Sequence, residues 1–264
     1  MATDPLFSVR VKIDRAKKHL NELGAEISAF LAAQPYDIII DENTEPGKRL
    51  YRIKNRKLIP SDWGGAIGDI VHNLRSSLDN LATALAIANG TTSKDILKNT
   101  YFPIGTCKAG FEKLLPNYLR GASPDARRLV ERLKPYPGGT DAFRRLHDLD
   151  VLDKHSAIVP VGLAHTGAVW EVGLVIEGMT LPEISLPFAP KKPIYPLKDG
   201  DVIASSKHFS GGPHKENLDA AFSIAFGEGQ IVDGESVIPT LQQFIDFVER
   251  VIGIFAKHIL KTPW

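Results

Sequence analysis

The sequence predicts an α+β protein, mainly a helical bundle with a β-hairpin after helix one and a β-rich insert before the C-terminal helix. Three observations carry that prediction. Residues 6 to 30 place apolar side chains in alternating steps of three and four, and the stretches around 67–87 and 241–259 do the same, which is the period of amphipathic helices. Residues 36–58 hold two short β-type runs around the turn signal Asn43-Thr-Glu-Pro-Gly47. Residues 157–236 break into short β-type runs separated by Gly, Pro and His. The expectation is one compact unit over 1–264, in which 1–34, 60–156 and 237–262 form the bundle, 36–58 the hairpin and 157–236 the insert.

Composition narrows the function classes. Lys and Arg total 32 against 31 Asp and Glu, a net charge of +1, so no bulk charge draws the chain to nucleic acid or a membrane surface. No run approaches the roughly 18 apolar residues of a membrane span, and the first residues lack the basic start and apolar core of a signal peptide. The cytoplasm is therefore the expected compartment. A single Cys107 excludes an intramolecular disulfide framework and a multi-cysteine zinc site. No Walker A loop, Rossmann fingerprint or Gly-x-Ser-x-Gly elbow occurs in a valid context, so ATPase, NAD and hydrolase-elbow readings lack support.

Helix one carries Leu6, Val9, Ile13, Ala16, Leu20, Leu23, Ile27 and Phe30 on one seam, flanked by Lys12, Arg15, Lys17, Lys18, Glu22 and Glu26. The seam suits a bundle helix, and a homodimer through helix one is the partner arrangement it also allows. Pro35 ends it. Helix two should span about 62–89, with Ser61 and Asp62 as N-cap candidates and Asn89-Gly90 as the C-cap. Gly64, Gly65 and Gly68 in its first turns each cost roughly 1 kcal/mol against Ala, which close approach by another group would offset. A loop with a short helix around Phe111–Leu119 follows. Next come a helix opened by Ser123-Pro124 and stopped before Pro135, a turn at Tyr136-Pro-Gly-Gly139, and a helix from Asp141 to about His155. The β-type runs of the insert are 158–164, 169–177, 183–186, 201–204, 220–226 and 230–237. Helix resumes at Pro239 with Leu241, Phe244, Ile245, Val248, Val251, Ile252, Phe255 and Ile259 on one stripe.

One constellation has chemical potential. At about 100° per residue, helix two collects Ile67, Ile70, Val71, Leu74, Leu78, Leu81 and Leu85 on one face. Asp69, His72, Ser76 and Asp79 fall on the other, with Arg75 at its edge. The helix ending at His155 behaves differently. His147, Asp150 and Lys154 share a face bordered by Phe143 and Val151, while Asp153 lies among Ala142, Leu146 and Leu149, so polar groups interrupt an apolar surface. Buried ionisable groups must be paired or they cost several kcal/mol, and helix two offers His72, Arg75 and Asp79 as partners.

Three readings stay open for that meeting. In the first, a hydrolase acting on a phosphoester or phosphodiester uses His72 with His147 or His155 for proton exchange, Arg75 and Lys154 to bind the anion, and Asp69, Asp79, Asp150 and Asp153 to orient them. It needs no cofactor, and its partner is a small anionic ligand or RNA. In the second, the cluster is a structural network of a noncatalytic interaction or ligand-binding protein. In the third, Asp69-x-x-His72 and His147-x-x-Asp150 hold a metal between bundle helices.

The stretch Gly68-Asp-Ile-Val-His-Asn-Leu-Arg-Ser-Ser-Leu-Asp-Asn-Leu81 and the later Leu146-His-Asp-Leu-Asp-Val-Leu-Asp-Lys-His155 resemble a widespread bacterial protein family. Its members carry G-D-x-x-H-N-L-R-S-A-L-D-H and L-H-x-L-x-x-x-D-K-H-R and have no assigned activity. The Arg-to-His spacing of those relatives is similar to that of HEPN-type ribonucleases, which are helical bundles that cut RNA without a metal. Arg75 matches the Arg and Asn80 stands where the His would be, so the resemblance hands that role to His72 or His155. The loop Ser205–Lys215, with two Lys-His pairs, is read as a solvent loop that could also cover an anionic ligand. Cys107 has no neighbouring base and is read as a structural or incidental thiol.

Overall fold

The computed structural model describes residues 4–42, 48–156, 161–176, 179–180, 184–188, 195–207, 214–227 and 231–264. It is α+β and mainly helical, as the sequence predicts. Where the sequence reading treats 1–264 as one unit, the contacts within the chain gather into two, one of Met1–Gly24, Ser61–Val159 and Ile238–Trp264 and one of Ala25–Pro60 and Pro160–Val237.

The first unit is helical. Helix α1 (Phe7–Ala32) contributes its residues up to Gly24. The stripe Leu6, Val9, Ile13, Ala16, Leu20, Leu23 and Ile27 is buried within the chain, as a bundle helix requires. Lys12 Nζ donates to Asn73 Oδ1 and Lys17 Nζ pairs with Glu249, tying α1 to its neighbours α2 (Asp62–Ala88) and α7 (Val237–Phe255). Helix α2 ends as expected: Asn89 caps it, and Gly90 takes the positive φ of +86° that favours glycine. Its N-terminal cap differs. Ser61 occupies the N-cap position but makes no side-chain capping bond, because its backbone is already helical and aims the hydroxyl away from the first turn.

Between α2 and α6 (Asp141–Ser156) lie α3 (Lys94–Lys98), α4 (Lys108–Tyr118) and α5 (Pro124–Leu133). The one-turn α3 falls at the edge of a stretch read as loop, and a single turn leaves no periodicity to see. Ser123 caps α5 by accepting from Ala126 N. Cys107 is exposed and caps α4, its sulfur accepting from Gly110 N at 3.4 Å, a structural thiol. An aromatic core of Phe102, Phe143, Phe247 and Phe255 joins α6 and α7, with Phe102 and Phe143 stacked at 5.3 Å. The stripe of α7 is buried through Phe255. It fades at Ile259 because a π-helical turn over Ala256–Leu260 changes the angular step.

The second unit holds two antiparallel sheets. Strands β1 (Tyr36–Asp41) and β2 (Lys48–Asn55) form the expected hairpin, and β6 (Val202–Lys207) adds to it in the order β1-β2-β6. The other sheet centres on β3 (Val161–Ile176), which pairs with β4 (Met179–Thr180), β5 (Ile184–Phe188) and β7 (His214–Phe226). The described parts of two expected strands, 158–164 and 169–177, are thus one, while 158–160 and 177 lie outside the described residues. The His165-Thr-Gly167 break is absorbed by a register shift in the β3–β7 pairing. Of the expected strand 230–237, residue 230 lies outside the described residues, 231–234 form a turn, Ser236 makes one isolated bridge to Ala225, and α7 already begins at Val237. The expected loop 205–215 is flanked by strand residues of β6 and β7, and its centre lies outside the described residues.

Candidate functional site

The site residues sit on α2 and α6, both in the helical unit. Gly68 faces Asp153, His72 bonds Asp150, and Arg75 acts electrostatically on His147. Numbers rise along one helix as they fall along the other, so the helices run antiparallel and meet turn by turn. Gly68 explains one of the three early glycines of α2: a Cβ there would stand 1.9 Å from Asp153 Oδ1, so an Ala cannot fit while Asp153 keeps its place. At Gly65 a Cβ would meet nothing within 4 Å.

The polar residues separate into two clusters. The inner one is closed. Arg75, its side chain 9% exposed, donates from Nη1 to Asp79 Oδ1 at 2.6 Å and from Nη2 to the Phe102 carbonyl at 3.1 Å. The Phe102 amide donates to the same Asp79 oxygen at 2.9 Å. The guanidinium expected to bind an anion is turned inward because α2 is buried around most of its circumference, Asn73, Ser77, Ala82 and Ala84 included. Asn80, at the position of the ribonuclease-like His, reaches the Ser8 carbonyl instead. His147 lies beside this cluster with a buried Nδ1 that finds no hydrogen-bond partner among the described residues. Burial first, and then the charges of Arg75 and Arg144, push its pKa below the usual imidazole value.

The outer cluster is open to water. Asp150 is its anchor, with a side chain only 2% exposed and both oxygens engaged. His72 Nδ1 donates to Oδ1 at 3.1 Å, and Lys154 Nζ donates to Oδ2 at 2.5 Å. Both donors reach solvent, His72 being 46% and Lys154 50% exposed, so of the charges expected to face apolar surroundings Lys154 does not. A carboxylate can only accept, so the bond to Asp150 places the proton of neutral His72 on Nδ1 and leaves Nε2 as an acceptor. Ser76 Oγ lies 3.3 Å from that Nε2.

Two more carboxylates border this cluster. Asp69 is exposed on α2. Asp153 has its pKa raised above the ordinary carboxyl value, chiefly by burial and then by the negative charges of Asp150 and Asp69, with His72 and Lys154 acting the other way. The backbone of His155 belongs to the last turn of α6, and its side chain lies outside the described residues. Among the described residues no group of three or more His, Cys, Asp and Glu side chains is placed to hold a metal ion, and no helix is long and apolar enough to cross a membrane.

The geometry therefore unites His72, Asp150 and Lys154, sets Asp69 and Asp153 around them, and keeps Arg75 and Asp79 apart in a network of their own. Ser76 is the member that the sequence reading left out of its candidate residues. Its place four residues after His72 was visible on the helical wheel, but only the ring orientation imposed by Asp150 turns Nε2 toward it. No protein-family model, no curated protein and no solved structure matches the chain.

Proposed function

We propose that the outer cluster is a metal-independent hydrolytic site for a phosphoester, with His72 as the proton-transfer group, Lys154 as the cation that receives the phosphoryl oxygens, and Asp150 as the positioning residue. One observation carries this reading: a fully buried carboxylate is shared by an imidazole and an ammonium whose other sides face water. Burying a carboxylate costs several kcal/mol unless both oxygens are satisfied, and here the groups that satisfy it are those that chemistry at a phosphate requires. The buried bond fixes the tautomer of His72 and leaves Nε2 free to take or give a proton. Lys154 supplies positive charge where the transition state accumulates negative charge.

The surrounding charge selects the substrate. Asp69, Asp150 and Asp153 crowd the site with carboxylates, so a second negative charge on the ligand meets repulsion that one cation does not cancel. A phosphodiester, with a single charge, fits this balance better than a dianionic monoester. For the inner cluster a structural role is read, because every described polar contact of the Arg75 side chain is internal and its guanidinium is buried.

The test is hydrolysis of bis(p-nitrophenyl) phosphate by the wild type and His72→Ala. Removing a general base costs about 10²- to 10⁴-fold, so turnover per folded molecule should fall to background in the variant, whose melting temperature falls as well because Asp150 Oδ1 loses its partner. Equal turnover by the two proteins, or no turnover by the folded wild type, would overturn the reading.

A further inference from the structure

We propose that Ser76 is the nucleophile of this site, so that cleavage passes through a covalent phosphoseryl intermediate; the proposal rests on the hydrolytic reading above. Three observations support it. Ser76 Oγ, His72 and Asp150 form a continuous chain of hydrogen bonds, 3.3 Å to Nε2 and 3.1 Å from Nδ1 to the carboxylate. The order of a half-buried hydroxyl, a ring and a fully buried carboxylate is the arrangement that activates a serine by an oriented base. The hydroxyl also departs from the habit of its neighbours. On the same helix Ser77 Oγ returns to the Leu74 carbonyl at 2.7 Å and Thr83 Oγ1 to the Asp79 carbonyl at 3.1 Å, the usual resting place of a helical hydroxyl. Ser76 bonds the imidazole instead.

The position of Ser76 within a helix also restricts the chemistry. Acyl transfer needs donors for an oxyanion, usually free backbone N–H groups. In the middle of α2 these groups are held by the helix. Phosphoryl transfer is served by a cation on the equatorial oxygens, and Lys154 shares the carboxylate that orients His72.

The steps balance without a further reagent. The Ser76 hydroxyl proton passes to His72 Nε2 as Oγ bonds to phosphorus, and the bond from phosphorus to the leaving oxygen breaks. That oxygen takes the proton from His72. A water then gives a proton to Nε2 and its oxygen bonds to phosphorus, the Oγ–P bond breaks, and Ser76 recovers its proton.

Diisopropyl fluorophosphate is the probe, since it is uncharged, phosphorylates an activated serine with loss of fluoride, and does not depend on the natural substrate. Wild-type protein should gain one adduct, mapped by peptide mass spectrometry to Ser76. Ser76→Ala should show none, and His72→Ala and Asp150→Asn should react about 100-fold more slowly or less. Ser76 is partly exposed, so its Ala variant should melt with the wild type. If Ser76→Ala keeps wild-type turnover on bis(p-nitrophenyl) phosphate and the wild type takes no adduct at Ser76, water is the nucleophile. The covalent proposal then fails while the role of His72 stands. If neither adduct nor turnover is seen in the folded wild type, both fail.

Discussion

Gly68→Ala should fail to stabilise the protein even though it improves a helix. An Ala within a regular helix is worth about 1 kcal/mol over Gly, and by that measure alone the substitution stabilises. The new Cβ would stand 1.9 Å from Asp153 Oδ1 and 2.4 Å from its Cγ, far inside contact distance. The carboxylate must withdraw by roughly 1.5 Å or α2 and α6 must separate, and overpacking of this kind costs roughly 1–3 kcal/mol. In an Asp153→Ala background the obstacle is gone and the helix gain should emerge undiminished. Urea unfolding of the wild type, the two single variants and the double variant closes the cycle. The expected coupling is roughly 1–3 kcal/mol, with the effect of Gly68→Ala changing from neutral or destabilising to stabilising by about 1 kcal/mol. A coupling below about 0.5 kcal/mol, which is the range of independent sites, would refute the claim that the Asp153 carboxylate is held against Gly68.

Three further outcomes follow from the same geometry. Asp153 has a raised pKa, so the folded chain holds a proton that the unfolded chain releases above its ordinary value of 3.8, and the associated stability is lost as the pH rises through the folded value. Asp153→Asn should therefore raise the melting temperature at pH 7 and leave it nearly unchanged at pH 3. His147 and the fully buried His165 of β3 have lowered values, chiefly from burial. Below about 6.5 the unfolded chain gains protons that these rings refuse, so stability falls with pH, and His147→Leu should flatten the decline in melting temperature between pH 7 and pH 5. Lys154→Met should lower kcat on a phosphodiester, because it removes charge from the transition state and leaves Asp150 to hold the tautomer of His72.

Local pattern made the helices legible, while the sheets and the orientation of the site depended on distant partners. The seam of α1, the Asn89-Gly90 cap of α2 and the Ser123-Pro124 start of α5 are set by residues within a few positions of one another, so their physics is written in the nearby sequence. The pairing of β2 with β6 joins Lys48 to Lys207 across a long separation, and nothing near either strand announces it. The bulge at His165 disguised one long strand as two. In the site, the wheel put Asp69, His72, Ser76 and Asp79 on one side of α2, whereas Asp79 joins Arg75 in the inner cluster. It could not show that Arg75 turns inward to the Phe102 carbonyl, because that carbonyl arrives from outside the helix. Nor could it show that Asp150 is the shared buried anchor, since burial is decided by the packing of α6 on α2.

The separation of a scaffolding cluster from a chemical one is tested most directly by measuring phosphodiester turnover per folded molecule in Arg75→Met beside His72→Gln, with thermal unfolding of the same samples. Arg75→Met removes a buried donor from Asp79 and Phe102 and should cost roughly 2–4 kcal/mol of stability, while the folded fraction keeps turnover close to that of the wild type. His72→Gln should melt with the wild type and lose turnover by about 100-fold or more. The reverse pattern, activity lost with Arg75 and stability lost with His72, would contradict the account.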